Sequence, residues 1–260
     1  MIGYQCLGHG PHNVIVLHGW FGDGSAFDPV KPFLDLDTYT YAFMDYRGYG
    51  QSTHLNGDFS IPEIGQDALD LAEALGWERF SLIGHSMGGM AIQWIAAHAP
   101  DRVTALVGLT PVPASGFPMD GDTMALFRGA RDNAQNRETI LMYTTGNQLT
   151  PAFGKTMAQR SLAQTTPEAF DAYLTAWSLT HFEEQVAGLI TPFLVLVGAQ
   201  DPVITLELME NTIAKWFPQS TLEALPKAGH YPMIETPVAL VTRWEAFLGS
   251  KTPALTQASN

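Results

Sequence analysis

The chain contains a single cysteine, Cys6, so no intramolecular disulfide can form and cohesion has to come from packing. That scarcity agrees with a reducing, cytoplasmic setting. Basic residues are also few: 13 lysines and arginines stand against 26 aspartates and glutamates, a formal charge of −13. So acidic a chain has no electrostatic claim on nucleic acid or on an anionic membrane surface. No run of 18 apolar residues is present to span a bilayer. The opening MIGYQCLGHGPH lacks the basic and apolar stretches of a secretory signal. Internal repeats and low-complexity tracts are missing too. The closing SKTPALTQASN is polar and aperiodic, and residues 251–260 are expected to form a flexible tail.

What the chain has in quantity is apolar: 46% of its 260 residues, enough to bury a large core. Short apolar or β-branched runs read as strands at 13–19, 40–48, 80–86, 103–110, 192–198 and 220–226. Several are apolar at consecutive positions, as in strands covered on both faces of a parallel sheet. Helix signals lie between them. Ser60 and Glu63 have capping-box spacing, Gly76 sits where a glycine stops a helix, and Ile64, Ala68, Leu71 and Leu75 form one stripe. Thr236, Pro237 and Gly249 bracket a second helix as cap, first turn and terminator. Strands alternating with helices predict an α/β fold around a mainly parallel sheet of about seven or eight strands.

Residues 111–188 break that rhythm. They begin with the loop-forming PVPASGFPMDGD and continue in helical patterns, with Phe170, Tyr173, Leu174 and Trp177 at helical spacing. The expected organisation is a core of 1–110 and 189–250 with this helical stretch inserted. Its aromatics serve as packing, as pocket wall, or as both.

The chemistry-bearing feature is GHSMG at 84–88, a G-x-S-x-G pentapeptide between a strand and a helix. A sharp turn there lifts the Ser86 hydroxyl above the sheet edge, and flanking glycines let neighbouring chain pass without Cβ clashes. Serine needs a base, and the base an orienting acid. Asp201 follows one later strand and His230 the next, giving the order Ser86, Asp201, His230 at the carboxyl ends of strands. A developing oxyanion needs donors. The Met87 N–H comes with the turn, and the Trp20 N–H comes from the loop HGWFGDGSAF. The side chains of Trp20 and Met87 are then expected to shape the acyl pocket, joined by Phe21, Trp177, His181 and Tyr231. His18 reads as a brace for its loop, His85 as structural support pointing away from Ser86, and Asp45 as structural.

On LHGW, DYRGYGQS, GHSMGG, GAQDPV and AGHYP, at mutually consistent positions, the chain resembles the α/β-hydrolase superfamily over essentially residues 13–249. Within it the chain is similar to serine carboxylesterase-like members with a helical cap. The resemblance implies a nucleophile at Ser86, an acid at Asp201 and a base at His230. It also implies a helical cap after the sixth sheet strand, here 111–188. Only about a dozen residues precede the VIVL strand, too few for a full two-strand leader. Relatives that open carbon–halogen bonds or epoxides carry aspartate at the turn, which disfavours those reactions. The expected function is hydrolysis of small carboxylic esters by water through an acyl-enzyme, with no cofactor and no metal. Hydrolysis of lactones, thioesters or C–C bonds, perhydrolysis, or a ligand-binding receptor are the alternatives, and oligomeric state stays open.

Overall fold

Seven strands form one sheet in the order β1-β3-β2-β4-β5-β6-β7 in a computed structural model that describes residues 1–251. The strands are β1 (Tyr4–Gly8), β2 (His12–Leu17), β3 (Tyr39–Met44), β4 (Phe80–His85), β5 (Val103–Leu109), β6 (Phe193–Gly198) and β7 (Ser220–Leu225). All neighbours run parallel except β1, which lies antiparallel to β3. Every residue of β6 is buried, as are the last four of β2 and β4. These strands therefore have to be largely apolar on both faces, and apolar residues recur at consecutive positions, with His85 at the end of β4 the polar exception. The edge strands β1 and β7 are mostly half-buried or exposed.

β1 was not among the six runs read as strands, although a sheet of seven strands leaves room for one short strand before β2. YQCLG is too short and too polar to announce itself, and it becomes a strand by borrowing the free edge of β3. It supplies one strand of leader, not two. The helical stretch consequently follows the fifth strand rather than the sixth.

On the sheet faces lie α1 (Ile61–Ala74) and α2 (Met87–His98). Ser60 caps α1 by accepting the Glu63 N–H at 3.2 Å. The Glu63 carboxylate does not return to Ser60 but receives the Asp58 and Phe59 N–H groups, so only half of the expected capping box forms. Ile64, Ala68 and Leu71 are buried and Leu75 half-buried, as their stripe requires. Gly76, at φ +70°, leaves the helix in the left-handed region.

Between β5 and β6 come five helices: α3 (Gly121–Gly129), α4 (Ala134–Thr144), α5 (Pro151–Gln164), α6 (Pro167–Leu179) and α7 (Glu183–Val186). Phe170, Tyr173, Leu174 and Trp177 on α6 are all buried. The chain ends with α8 (Leu206–Asn211), α9 (Ile213–Trp216), α10 (Pro232–Glu235) and α11 (Pro237–Lys251). α11 runs through Gly249 instead of stopping there; α-helical φ and ψ are open to glycine, which ends a helix only where a left-handed turn follows. The expected tail lies, apart from Lys251, outside the described residues. Among those described, no helix is long and apolar enough to cross a membrane.

Candidate active site

Ser86 stands between β4 and α2 with φ 52° and ψ −115°, a conformation in which a side-chain-bearing residue is strained. The surroundings hold it there. Ser86 N–H donates to Leu109 O at 3.0 Å, and Ser86 O accepts from Gly89 and Val112 N–H. The turn closes only because two glycines flank it. A Cβ on Gly84 would sit 2.3 Å from Gly88 O, and one on Gly88 would sit 2.5 Å from Leu17 O.

The three residues that chain order singled out come together. His230 Nε2 lies 3.0 Å from Ser86 Oγ, and His230 Nδ1 lies 2.6 Å from Asp201 Oδ2. A carboxylate oxygen only accepts, so Nδ1 carries the proton. The Nε2 lone pair then faces the serine hydroxyl. Asp201 is aimed by its other oxygen, which accepts the Val203 and Ile204 N–H groups at 2.8 and 3.1 Å.

The backbone of His230 is held as firmly as its ring. Its N–H donates to Thr144 O at the end of α4, at 3.1 Å. Its carbonyl accepts from Thr110 Oγ1 and from His85 Nε2, the latter at 2.7 Å. Glu235 bridges the flanking peptides, taking the Gly229 and Tyr231 N–H groups on its two oxygens. Burial pushes the Glu235 carboxyl up, while those two donors partly offset the rise.

The loop after β2 is pinned through three successive carbonyls. His18 O accepts from Tyr46 Oη at 2.7 Å, Gly19 O from His18 Nδ1 at 2.8 Å, and Trp20 O from Tyr49 Oη at 2.9 Å. His18 Nε2 receives the Tyr46 N–H, which leaves its proton on Nδ1. Burial pulls the His18 pKa down and keeps the ring neutral. In a trans peptide the N–H points opposite to the C=O. Anchoring Gly19 O therefore turns the Trp20 N–H the other way. The loop itself borders the serine, since a Cβ on Gly19 would lie 3.3 Å from Ser86 Cβ. Met87 N–H opens α2, where the first amides of a helix have no intrahelical acceptor. DYRGYGQS thus owes its place to Tyr46 and Tyr49, and Asp45 is structural, accepting the Gly24 and Gln51 N–H groups.

A cavity opens over Ser86 and His230, and Trp20, Phe21, Trp177 and Tyr231 line it. Two other expectations fail. His181 is exposed, beyond the end of α6, with Nδ1 3.4 Å from Leu179 O, and it does not reach the cavity. The Met87 side chain is wholly buried in the core and forms no part of the wall. Packed into the core, it is removed from the acyl pocket it was expected to shape. His85, read as structural support, supports the site by holding His230 O and also borders the cavity.

Unanticipated wall comes from Phe117 and Phe127 around α3, from Ile140 and Thr144 on α4, and from Val203 and Ile204 after Asp201. Val112 completes it. Val203 and Ile204 had a readable signal, since they follow the proposed acid by two and three residues. The helical contributors did not.

Trp20 joins the helices to this site. Its ring stacks on Phe170 at 4.1 Å and on Phe127 at 5.6 Å, and its Nε1–H donates to Phe170 O at 2.7 Å. On the other side of Phe170 lies the Arg137 guanidinium, 3.7 Å from the ring. Arg137 is buried and donates to Ala130 O, Arg131 O, Ser161 Oγ and Thr165 Oγ1.

A protein-family model described as alpha/beta hydrolase fold matches residues 12–237. The chain belongs to that family. This α/β hydrolase is 28% identical over 258 residues to 3-oxoadipate enol-lactonase 2 of Acinetobacter baylyi, covering 95% of this chain and 92% of the relative. It is 26% identical over 252 residues to the pimeloyl-[acyl-carrier protein] methyl ester esterase of Klebsiella pneumoniae, covering 92% and 94%. Among solved structures, an esterase from Exiguobacterium antarcticum superposes with a TM-score of 0.85 at 18% identity, covering 95% of each chain. At that identity the likeness speaks to the fold.

Proposed function

We propose that this α/β hydrolase is a serine esterase acting on small carboxylic esters through an acyl-enzyme. One observation carries the reading: Ser86, His230 and Asp201 form an unbroken hydrogen-bonded series, and Ser86 and His230 line an apolar cavity. Ser86 Oγ attacks the ester carbonyl as its proton passes to His230 Nε2. Asp201 holds the ring orientation and stabilises its cation. The oxyanion is received by the Met87 and Trp20 N–H groups. His230 then protonates the departing alcohol, and water, deprotonated by His230, releases the acid and restores Ser86.

Helices α3–α7 act in this reading as a cap over the site, and the lone Cys6 suits a cytoplasmic setting. Lactone hydrolysis is the second reading, favoured by the name of the enol-lactonase relative. The acyl-carrier-protein ester named for the other relative shows that a related chain takes a larger substrate. Turnover of esters and lactones by purified protein, with Ser86→Ala as control, tests the assignment. Hydrolysis surviving in the alanine variant would exclude Ser86 as nucleophile.

A further inference from the structure

Among the described residues, no lysine, arginine, aspartate or glutamate lines the cavity over Ser86. Residues 252–260 add no cation, since that stretch holds no basic residue. Two wall residues could carry positive charge, His85 and His230. Burial draws the His85 pKa well below the usual histidine value, and its Nε2 is committed to His230 O. His230 has both ring nitrogens engaged, one by Asp201 and one by Ser86.

Arg137 is the one buried lysine or arginine among the described residues. It lies against Phe170, which is not part of the wall, and gives its N–H groups to Ala130 O, Arg131 O, Ser161 Oγ and Thr165 Oγ1. The ionisable groups next to the wall are acidic instead. Asp201 holds His230 at 2.6 Å, and Glu235 accepts the Tyr231 N–H at 2.9 Å. Tyr231 reports what they do to an anion on this wall: burial pushes its hydroxyl pKa up, and Asp201 and Glu235 add to the rise.

We propose that the cavity over Ser86 selects its substrate by charge, taking esters or lactones whose buried arm is uncharged and excluding those whose arm ends in a carboxylate. This rests on the esterase reading above and narrows it to neutral substrates. A carboxylate in the cavity loses its hydration, and neutral donors do not compensate for burying a charge. A quaternary ammonium gains aromatic faces but finds no carboxylate on the wall to pair with.

The test compares kcat/KM within isosteric pairs, each rate divided by that ester's hydroxide-catalysed rate. The acyl pair is ethyl glutaramate against monoethyl glutarate. The alcohol pair is the acetate ester of γ-hydroxybutyramide against that of γ-hydroxybutyrate. Amide and carboxylate share a shape, so size cancels. The amide should win by about tenfold or more in at least one pair, the mark of an unpaired buried charge. A smaller ratio in both pairs overturns the proposal, as does a preference for acetylcholine over its uncharged isostere, dimethylbutyl acetate. Repetition in 1 M salt, where charges are screened within about 3 Å, separates the wall from the chain's overall charge of −13. A ratio that persists supports the wall; one that falls to near one belongs to surface repulsion and overturns the proposal.

Phe117 is half-buried and lines the cavity, so a lysine there keeps its stem packed while bringing an ammonium to the wall. Phe117→Lys should narrow the amide-to-carboxylate ratio at least about threefold, and Phe117→Met, flexible but uncharged, should not. An unchanged ratio in the lysine variant, or equal narrowing in both, overturns selection by charge. If Phe117→Lys does not fold, the wild-type ratios at low and high salt decide. Turnover without discrimination removes this inference alone, whereas no turnover of any ester removes the esterase reading and this one with it.

Discussion

His85 Nε2 lies 2.7 Å from the main-chain oxygen of His230, so the side chain next to the proposed nucleophile holds the backbone of the proposed base. A carbonyl only accepts, which puts the proton on Nε2. Burial, reinforced by repulsion from His230, draws the His85 pKa well below the usual histidine value.

This sets a pH dependence of stability. The unfolded chain takes up a proton on His85 near about pH 6.5 while the folded chain does not, so stability is present above that pH and is lost as pH falls. His18, lowered chiefly by burial, acts in the same sense. Glu235 and Glu245, whose carboxyls burial raises, act in the opposite sense from about pH 4.5 upward. Replacing His85 by Gln keeps an amide donor and removes the titration. Melting curves should show a shallower acid loss in His85→Gln than in wild type, by up to about 1.4 kcal/mol per pH unit below about pH 6.5. Parallel curves for the two proteins would rule the linkage out.

Asp201 uses one oxygen on His230 and the other on two backbone amides. Asn cannot accept at every one of these contacts, and its amide favours the wrong imidazole tautomer. Asp201→Asn is expected to lower kcat by about 10⁴-fold. Stopped-time ester assays measure the drop, and activity within a factor of ten of wild type would remove Asp201 from the proposed role.

Tyr49 acts on Trp20 O from a distance and touches no reacting atom. Removing its hydroxyl frees one of the three anchored carbonyls of the loop. Tyr49→Phe should reduce kcat by roughly two- to tenfold, the range of one neutral hydrogen bond, with KM nearly unchanged. A rise in KM at constant kcat would mean that the loop binds substrate but does not stabilise the oxyanion.

Two glycines give an opposed pair of predictions. A Cβ on Gly88 would meet Leu17 O at 2.5 Å and His18 O at 2.7 Å, both backbone atoms that cannot yield without moving β2. Gly121, the first residue of α3, has nothing within 4 Å of the same position. Gly88→Ala should leave little folded protein, whereas Gly121→Ala should be neutral or stabilising by up to about 1 kcal/mol. Soluble yield and melting temperature check both.

The parts of this molecule that were readable in the sequence are those in which chemistry and chain order coincide. Ser86 was visible because a turn of that shape admits only glycine at Gly84 and Gly88, and Asp201 and His230 because each lies in the loop that follows a strand, β6 and β7 respectively. The strands β2 to β6 were legible because burial on both faces demands largely apolar runs. β1 was not, since an edge strand with exposed Gln5 and Cys6 has no such demand. The wall was half legible. Trp20, Phe21 and Tyr231 adjoin recognisable residues, but Phe127 and Ile140 reach the cavity only through the docking angles of α3 and α4, which periodicity does not encode. His181 shows the converse error: proximity in sequence to Trp177 says nothing once α6 ends and the chain turns outward.

The column Arg137–Phe170–Trp20–Phe127 runs from the helical layer into the loop that presents the Trp20 amide. The helices and the loop are therefore coupled through one stack of side chains. Any displacement of α6 would pull on Phe170, and through it on Trp20, the residue proposed to offer its N–H to the oxyanion. A ligand that stabilised the helices as packed would by the same contacts stabilise the loop. A group that packs against Phe127 or Phe170 therefore bears, through Trp20, on the loop as well as on the helices.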